Sequence, residues 1–138
     1  MFKHILVPFE LVSKEKSKKS AKAATDLAGM YDAKVTLVTV SGSFDGMITH
    51  SLDEKQRLLE AYAAQLTQSA EVEVDSRIYE AADTAAEVVR RLIDAIEDTG
   101  ADLVVMASHQ PGWVEYLVNS NAGRVASHAP VSVFVVRD

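Results

Sequence analysis

Leu103-Val104-Val105-Met106 and Val131-Ser132-Val133-Phe134-Val135-Val136 are apolar at nearly every position. A strand with one wet face alternates, whereas a strand covered by helices on both sides reads as an unbroken run of this kind. Ile5-Leu6-Val7-Pro8, closed by its proline, and the β-branched run Val35-Thr36-Leu37-Val38-Thr39-Val40 have the same character. Val72-Glu73-Val74-Asp75-Ser76-Arg77-Ile78 alternates instead, as a half-exposed edge strand does. Helical periods separate these runs. Ala21, Ala24, Ala28 and Tyr31 mark one; Leu52, Leu59, Tyr62, Ala63 and Leu66 a second; Ala85, Val88, Val89, Leu92 and Ile96 a third; Ala122, Val125, Ala126 and Ala129 a short fourth ended by Pro130. Asp83 or Thr84 suits the N-cap of the third, and Gly100 stands past its end. Strand–helix alternation with short links predicts a doubly wound α/β fold, a five-stranded parallel sheet joined by right-handed crossovers with helices on both faces.

The chain has 138 residues, with 48% apolar and 25% charged. That length and composition fit one globular domain over residues 1–138. Lys plus Arg is 14 and Asp plus Glu is 20, a net charge of −6. An acidic balance argues against nucleic-acid binding, which needs positive charge to displace counterions from phosphates. There is no cysteine, so disulfides, thiolate metal sites and thiol nucleophiles are ruled out. The start, Met1-Phe2-Lys3-His4-Ile5-Leu6-Val7-Pro8, lacks the apolar length and cleavage residues of a signal peptide, and no segment is long enough to span a membrane. A cytoplasmic protein with no membrane partner is expected.

In a parallel α/β sheet, ligands collect beyond the carboxyl ends of the strands, at the switch in strand order. The stretches that follow each apolar run are Pro8 to Ser13, Ser41 to His50, Tyr79 to Asp83 and Ala107 to Asn121. The last is the most informative. Asn119-Ser120-Asn121 opens the fourth helix, where free N–H groups and a hydroxyl make an anion site. The plainer reading is an ordinary helix cap. His109 falls in the same loop, where it either meets a phosphate or makes a structural hydrogen bond at the strand end. His4, His50, His109 and His128 lack metal-ligand spacing, so no metal site is expected. Lys14, Lys16, Lys18, Lys19 and Lys22 read as a solvated helix face rather than a site for an anionic partner. Trp113 suits either a pocket cover or an interface.

Three segments together carry a family resemblance. Ile5-Leu6-Val7-Pro8, Ala101-Asp102-Leu103-Val104-Val105-Met106-Ala107-Ser108-His109 and His128-Ala129-Pro130-Val131-Ser132-Val133-Phe134-Val135-Val136-Arg137 resemble the universal stress protein family, whose element order and spacing the whole chain follows. The resemblance implies an adenine nucleotide alpha-hydrolase-like fold, ATP or AMP as ligand (with magnesium for ATP), a homodimer, and a regulatory protein partner of unknown identity. Nucleotide-binding members carry Gly, two residues, Gly, a longer interval, then Gly before Ser or Thr. Ala107, Gln110 and Asn119 occupy the three glycine positions here, with Ser120 as the hydroxyl and Asn121 beside it. Asn119 tolerates the left-handed region that glycine favours. The Gln110 side chain either fills phosphate space or donates an amide N–H to it. Glu10 stands where the family has an Asp near the adenosine; its extra methylene moves the carboxylate by about 1.5 Å. An ordinary exposed acid is the plainer reading of Glu10. Pro8 and Val40 match positions that meet the adenine, Val40 through its backbone. The family pairs its final strand across a two-fold axis, which assigns Val131, Val133, Phe134 and Val135 to the dimer interface.

Three kinds of function follow. One is a regulatory module that binds an adenine nucleotide as a homodimer. Another is a nucleotide-free member that acts only through protein association. The enzymatic alternative, a slow ATP hydrolase or self-phosphorylating protein, lacks a catalytic base and an aspartate pair for magnesium, so a non-enzyme is expected. Receiver, flavodoxin, P-loop and dinucleotide-binding signatures are absent.

Overall fold

The computed structural model describes residues 1–11, 14–41, 51–81, 85–107, 129 and 131–137. Its elements run β1 (His4–Pro8), α1 (Lys14–Tyr31), β2 (Lys34–Ser41), α2 (Leu52–Ala70), β3 (Val74–Glu80), α3 (Ala85–Thr99), β4 (Leu103–Ala107) and β5 (Ser132–Val136). The sheet is parallel throughout, in the order β3-β2-β1-β4-β5. The expected α/β fold is therefore present. The alternating run forms one edge, as its pattern indicated. It starts two residues later than expected because Val72 packs on the core from the preceding turn. Of the expected fourth helix, only Ala129 lies within the described residues; it is buried. The proposed N-caps Asp83 and Thr84 lie outside them.

Each face of the sheet has its own core. Ile5, Val7, Val35, Leu37, Leu103 and Val105 point to the side covered by α1 and α2. Leu6, Val38, Val40, Val104 and Met106 point to the side covered by α3. This two-sided burial is the physical cause of the unbroken apolar runs of β1, β2 and β4; β5, expected from the same pattern to be covered on both faces, is instead an edge strand exposed from Ser132 to Val135. Ala21, Ala24 and Ala28 are fully buried, and their small side chains let α1 lie close to the sheet. Lys18, Lys19 and Lys22 face solvent on its other side, as expected for a wetted helix face. Lys22 reaches Asp26 across one turn at 3.0 Å.

The helix ends follow local chemistry. Ser51 caps α2 by accepting from the Glu54 N–H at 3.2 Å. Gly100 ends α3 at φ +70°, a left-handed conformation that glycine adopts without strain, and its N–H donates to the Ile96 carbonyl at 3.0 Å. One periodicity needs correction. Leu52, placed on the apolar stripe of the second helix, is 42% exposed. The inward positions of α2 are Lys55, Leu59 and Ala63, so a lysine begins the buried stripe.

Leu37 is fully buried in the α1–α2 face. Leu37→Ala should cost about 2–5 kcal/mol through lost burial and the cavity left behind. Leu52→Ala should stay within about 0.5 kcal/mol. Denaturant midpoints at unchanged slope check both.

Candidate functional site

The order β3-β2-β1-β4-β5 places the switch between β1 and β4, because the chain winds outward from β1 to β3 and then returns to the other side of β1. At that switch the two strands part. β1 pairs with β4 only at Ile5–Leu103 and Leu6–Val104, while its pairing with β2 continues to Pro8–Val38. β4 meanwhile stays paired with β5 as far as Ala107–Val136.

The cause lies in Pro8. Backbone groups of a strand alternate in direction from residue to residue. The Lys3 carbonyl accepts from β2 at Lys34, the His4 carbonyl accepts from Asp102 on the β4 side, and the Phe9 N–H donates to Val38 of β2 at 2.8 Å. By that alternation position 8 faces β4, and proline has no N–H to offer there. The pairing of β1 with β4 therefore stops short of their carboxyl ends, at the switch point where doubly wound sheets have their ligand crevice.

The turn on its β1 side is firmly tied. The Phe9 carbonyl accepts from the Thr39 hydroxyl at 2.8 Å, and the Glu10 N–H donates to Ser17 Oγ at 2.8 Å. Glu10 is only 5% exposed, so the ordinary exposed acid is the reading the structure overturns. The side chains of Phe9 and Leu11 pack down into the α1–α2 core and hold the turn against the sheet. The Phe9 ring lies 4.7 Å from that of Tyr62 on α2. Burial, followed by the nearby Glu15 carboxylate, pushes the Tyr62 phenol above its ordinary pKa.

Val40 turns its side chain into the α3 core and is 1% exposed. Ala107 ends β4 and is buried. From the Leu6–Val104 pair, Ala107 stands level with Phe9; from the Pro8–Val38 pair, Val40 stands level with Glu10. Pro8, Glu10, Val40 and Ala107 are thus brought to one rim of the sheet. His109, Gln110, Asn119, Ser120 and Asn121 lie outside the described residues, as does Trp113.

Lys55 is the residue that sequence reasoning missed. It is 5% exposed and donates from Nζ to Ser41 Oγ at 2.9 Å, at the carboxyl end of β2. A buried ammonium is costly without such a partner. Its spacing of four from Leu59 and eight from Ala63 was the available signal, hidden because lysine reads as a surface residue. Among the described residues no cluster of three His, Asp or Glu side chains could hold a metal, and no helix is long and apolar enough to cross a membrane.

The model of the universal stress protein family matches residues 1–137. The universal stress protein A homolog of Haemophilus influenzae is 29% identical over 140 residues, covering 99% of this chain and 96% of that protein. A universal stress protein family structure from Burkholderia pseudomallei has a TM-score of 0.70 at 23% identity, covering 96% of this chain and 94% of the other. The universal stress protein of Archaeoglobus fulgidus, solved in complex with dAMP, has a TM-score of 0.65 at 12% identity, covering 98% and 97%. At these identities the structural likeness establishes the fold.

The Glu10–Ser17 bond anchors the turn to α1, and Ser17 is fully buried. Ser17→Ala should cost about 1–3 kcal/mol, because it removes the acceptor of a buried N–H. Ser69→Ala on the exposed side of α2 should change stability by less than about 0.5 kcal/mol. Paired chemical denaturation curves check the difference.

Proposed function

The chain belongs to the universal stress protein family, and on that premise we propose that it is a non-enzymatic regulatory module that binds an adenine nucleotide in the β1–β4 crevice as a homodimer. The observation that carries the reading is the parting of β1 from β4 beyond Leu6–Val104, with Pro8, Glu10, Val40 and Ala107 at the rim. The dAMP complex of the Archaeoglobus fulgidus protein supports an adenine nucleotide as the ligand class.

The residues present suit such a ligand in a definite orientation. Pro8 and the Val40 backbone offer an apolar and hydrogen-bonding edge for the base. Glu10, a buried carboxylate, accepts hydrogen bonds from sugar hydroxyls and repels phosphate, so the phosphates point away from β1. That leaves them to the segment after Ala107, where His109, Gln110, Asn119, Ser120 and Asn121 supply donors. Magnesium would accompany ATP and screen its charge.

The homodimer would form along β5. This strand is a sheet edge, and Val133, Phe134 and Val135 are exposed there, Phe134 by 47%. An apolar edge of this kind needs a cover, and a second copy of the same edge, with Val131 at its start, provides one. The alternative, a member that works only through protein association, draws on this same exposed edge.

Isothermal titration with ATP and magnesium should give saturable heat; silence at millimolar ligand would leave only the association reading. Labelled ATP should yield neither phosphate release nor labelled protein. Sedimentation at micromolar concentration should show a dimer. Phe134→Asp should weaken it at least tenfold, since a central aromatic carries a large share of interface energy.

A further inference from the structure

At the opposite end of the sheet from the crevice, a chain of side-chain hydrogen bonds links the amino ends of β1, β2 and β3 to the end of α3. His4 Nδ1 lies 2.9 Å from the Thr99 carbonyl oxygen, and His4 Nε2 lies 2.6 Å from Thr36 Oγ1. The Thr36 hydroxyl in turn donates to Asp75 Oδ1 at 2.5 Å. His4 and Thr36 are buried, while Asp75 stands on the exposed edge strand.

Counting protons along this chain gives a definite result. A carbonyl oxygen only accepts, so Nδ1 must carry a hydrogen. The Thr36 hydroxyl has one hydrogen, and it goes to Asp75. Its oxygen then accepts from Nε2, which must carry a hydrogen as well. Three links need three protons, whereas a neutral imidazole and a hydroxyl supply two. With Asp75 acting only as an acceptor, all three links are made together only when both ring nitrogens donate, that is, when His4 is an imidazolium.

We propose that His4, Thr36 and Asp75 form a proton-binding relay that takes up one proton per chain on acidification and redirects the Thr36 hydroxyl from His4 to Asp75. Before uptake, neutral His4 keeps its Nδ1 hydrogen on Thr99 and accepts the Thr36 hydrogen at Nε2, and no proton lies between Thr36 and Asp75. The incoming proton, taken from water, forms the Nε2–H bond. The Thr36 hydroxyl then rotates toward Asp75, and no other bond is made or broken.

The surrounding groups set where the proton is taken. Burial lowers the His4 pKa, the bond to the Thr99 carbonyl raises it, Lys34 at the start of β2 lowers it, and Asp75 and Asp102 raise it; the balance is downward. Asp102 is held close by accepting from the Lys3 and His4 backbone N–H groups. Uptake therefore occurs below the ordinary histidine value of about 6.5. Because the unfolded chain then binds protons more readily, this contribution to stability is complete above about pH 6.5. It is lost as pH falls toward the folded value.

Long-range proton–nitrogen NMR on the full chain, from about pH 8 to about pH 4, reads the relay directly. Expected at the upper end is the neutral His4 tautomer with hydrogen on Nδ1; at the lower end both nitrogens are protonated, in one step. Thr36→Val should lower the proton affinity of His4 about tenfold, a midpoint shift of about one pH unit, and Thr36→Ser should restore it. Asp75→Asn, on the exposed edge, should shift the midpoint in the same direction and serves if Thr36→Val does not fold. Hydrogen on Nε2 at high pH, a ring that stays neutral throughout, or a midpoint indifferent to these substitutions would overturn the relay.

Discussion

The structure depends on the hydrogen-bonding alternation of β1. This strand is the middle of the sheet, covered on both faces and flanked by β2 and β4. Its odd residues bond toward β2 and its even residues toward β4. A buried backbone group must find a partner, so this alternation fixes which neighbour each position serves. Proline at position 8 removes a donor on the β4 side alone. Pairing with β2 continues through Phe9, and pairing with β4 stops at Leu6. One missing hydrogen thus separates two strands that the rest of the sheet holds together. The same residue at an odd position would have opened β1 from β2, where no switch in strand order exists.

The two ends of the sheet solve the problem of buried polarity differently. At the amino end, His4, Thr36 and Asp75 satisfy one another across three strands, with Asp102 binding the start of β1. At the carboxyl end, Thr39 and Ser17 bond backbone groups of the β1 turn, and Lys55 reaches the Ser41 hydroxyl. The first arrangement is closed upon itself. The second uses side chains to hold main chain in place, which is the support a binding rim needs.

The fold was legible because its three inner strands, β1, β2 and β4, are buried on both faces, whereas β5 carries the same apolar pattern on an exposed edge. Val104, Val105 and Met106 have no polar alternation to confuse, and Ala21, Ala24 and Ala28 announce a helix lying close to the sheet. Boundaries were less legible where an apolar residue packs from a turn, as Val72 does. Lys55 was missed because its burial depends on the end of β2, to which α2 brings it, and residue type alone pointed to solvent. The His4 relay was invisible for a related reason. His4 is 32 residues from Thr36, and Thr36 is 39 from Asp75, so only strand order and register bring them together. At the candidate site, the rule that informative residues follow each apolar run picked out the stretches that hold Pro8, Glu10 and Ala107, while Val40 came from the family resemblance alone. Nothing in the sequence indicated that Glu10 would be buried by a turn tied to Ser17 and Thr39.

That burial bears on the altered glycine pattern. Glycines in a phosphate loop allow backbone N–H groups to approach the anion closely. On the proposed reading, Glu10 turns the phosphates toward the segment beyond Ala107, where Gln110, Asn119 and Asn121 have amides of their own. A side-chain amide reaches farther than a backbone N–H, so it compensates for a main chain held at greater distance. It also gives up rotamer freedom when it binds, a cost absent from a preformed glycine loop. On that reading, donors that lose side-chain freedom on binding hold nucleotide less tightly than the backbone donors of a glycine loop.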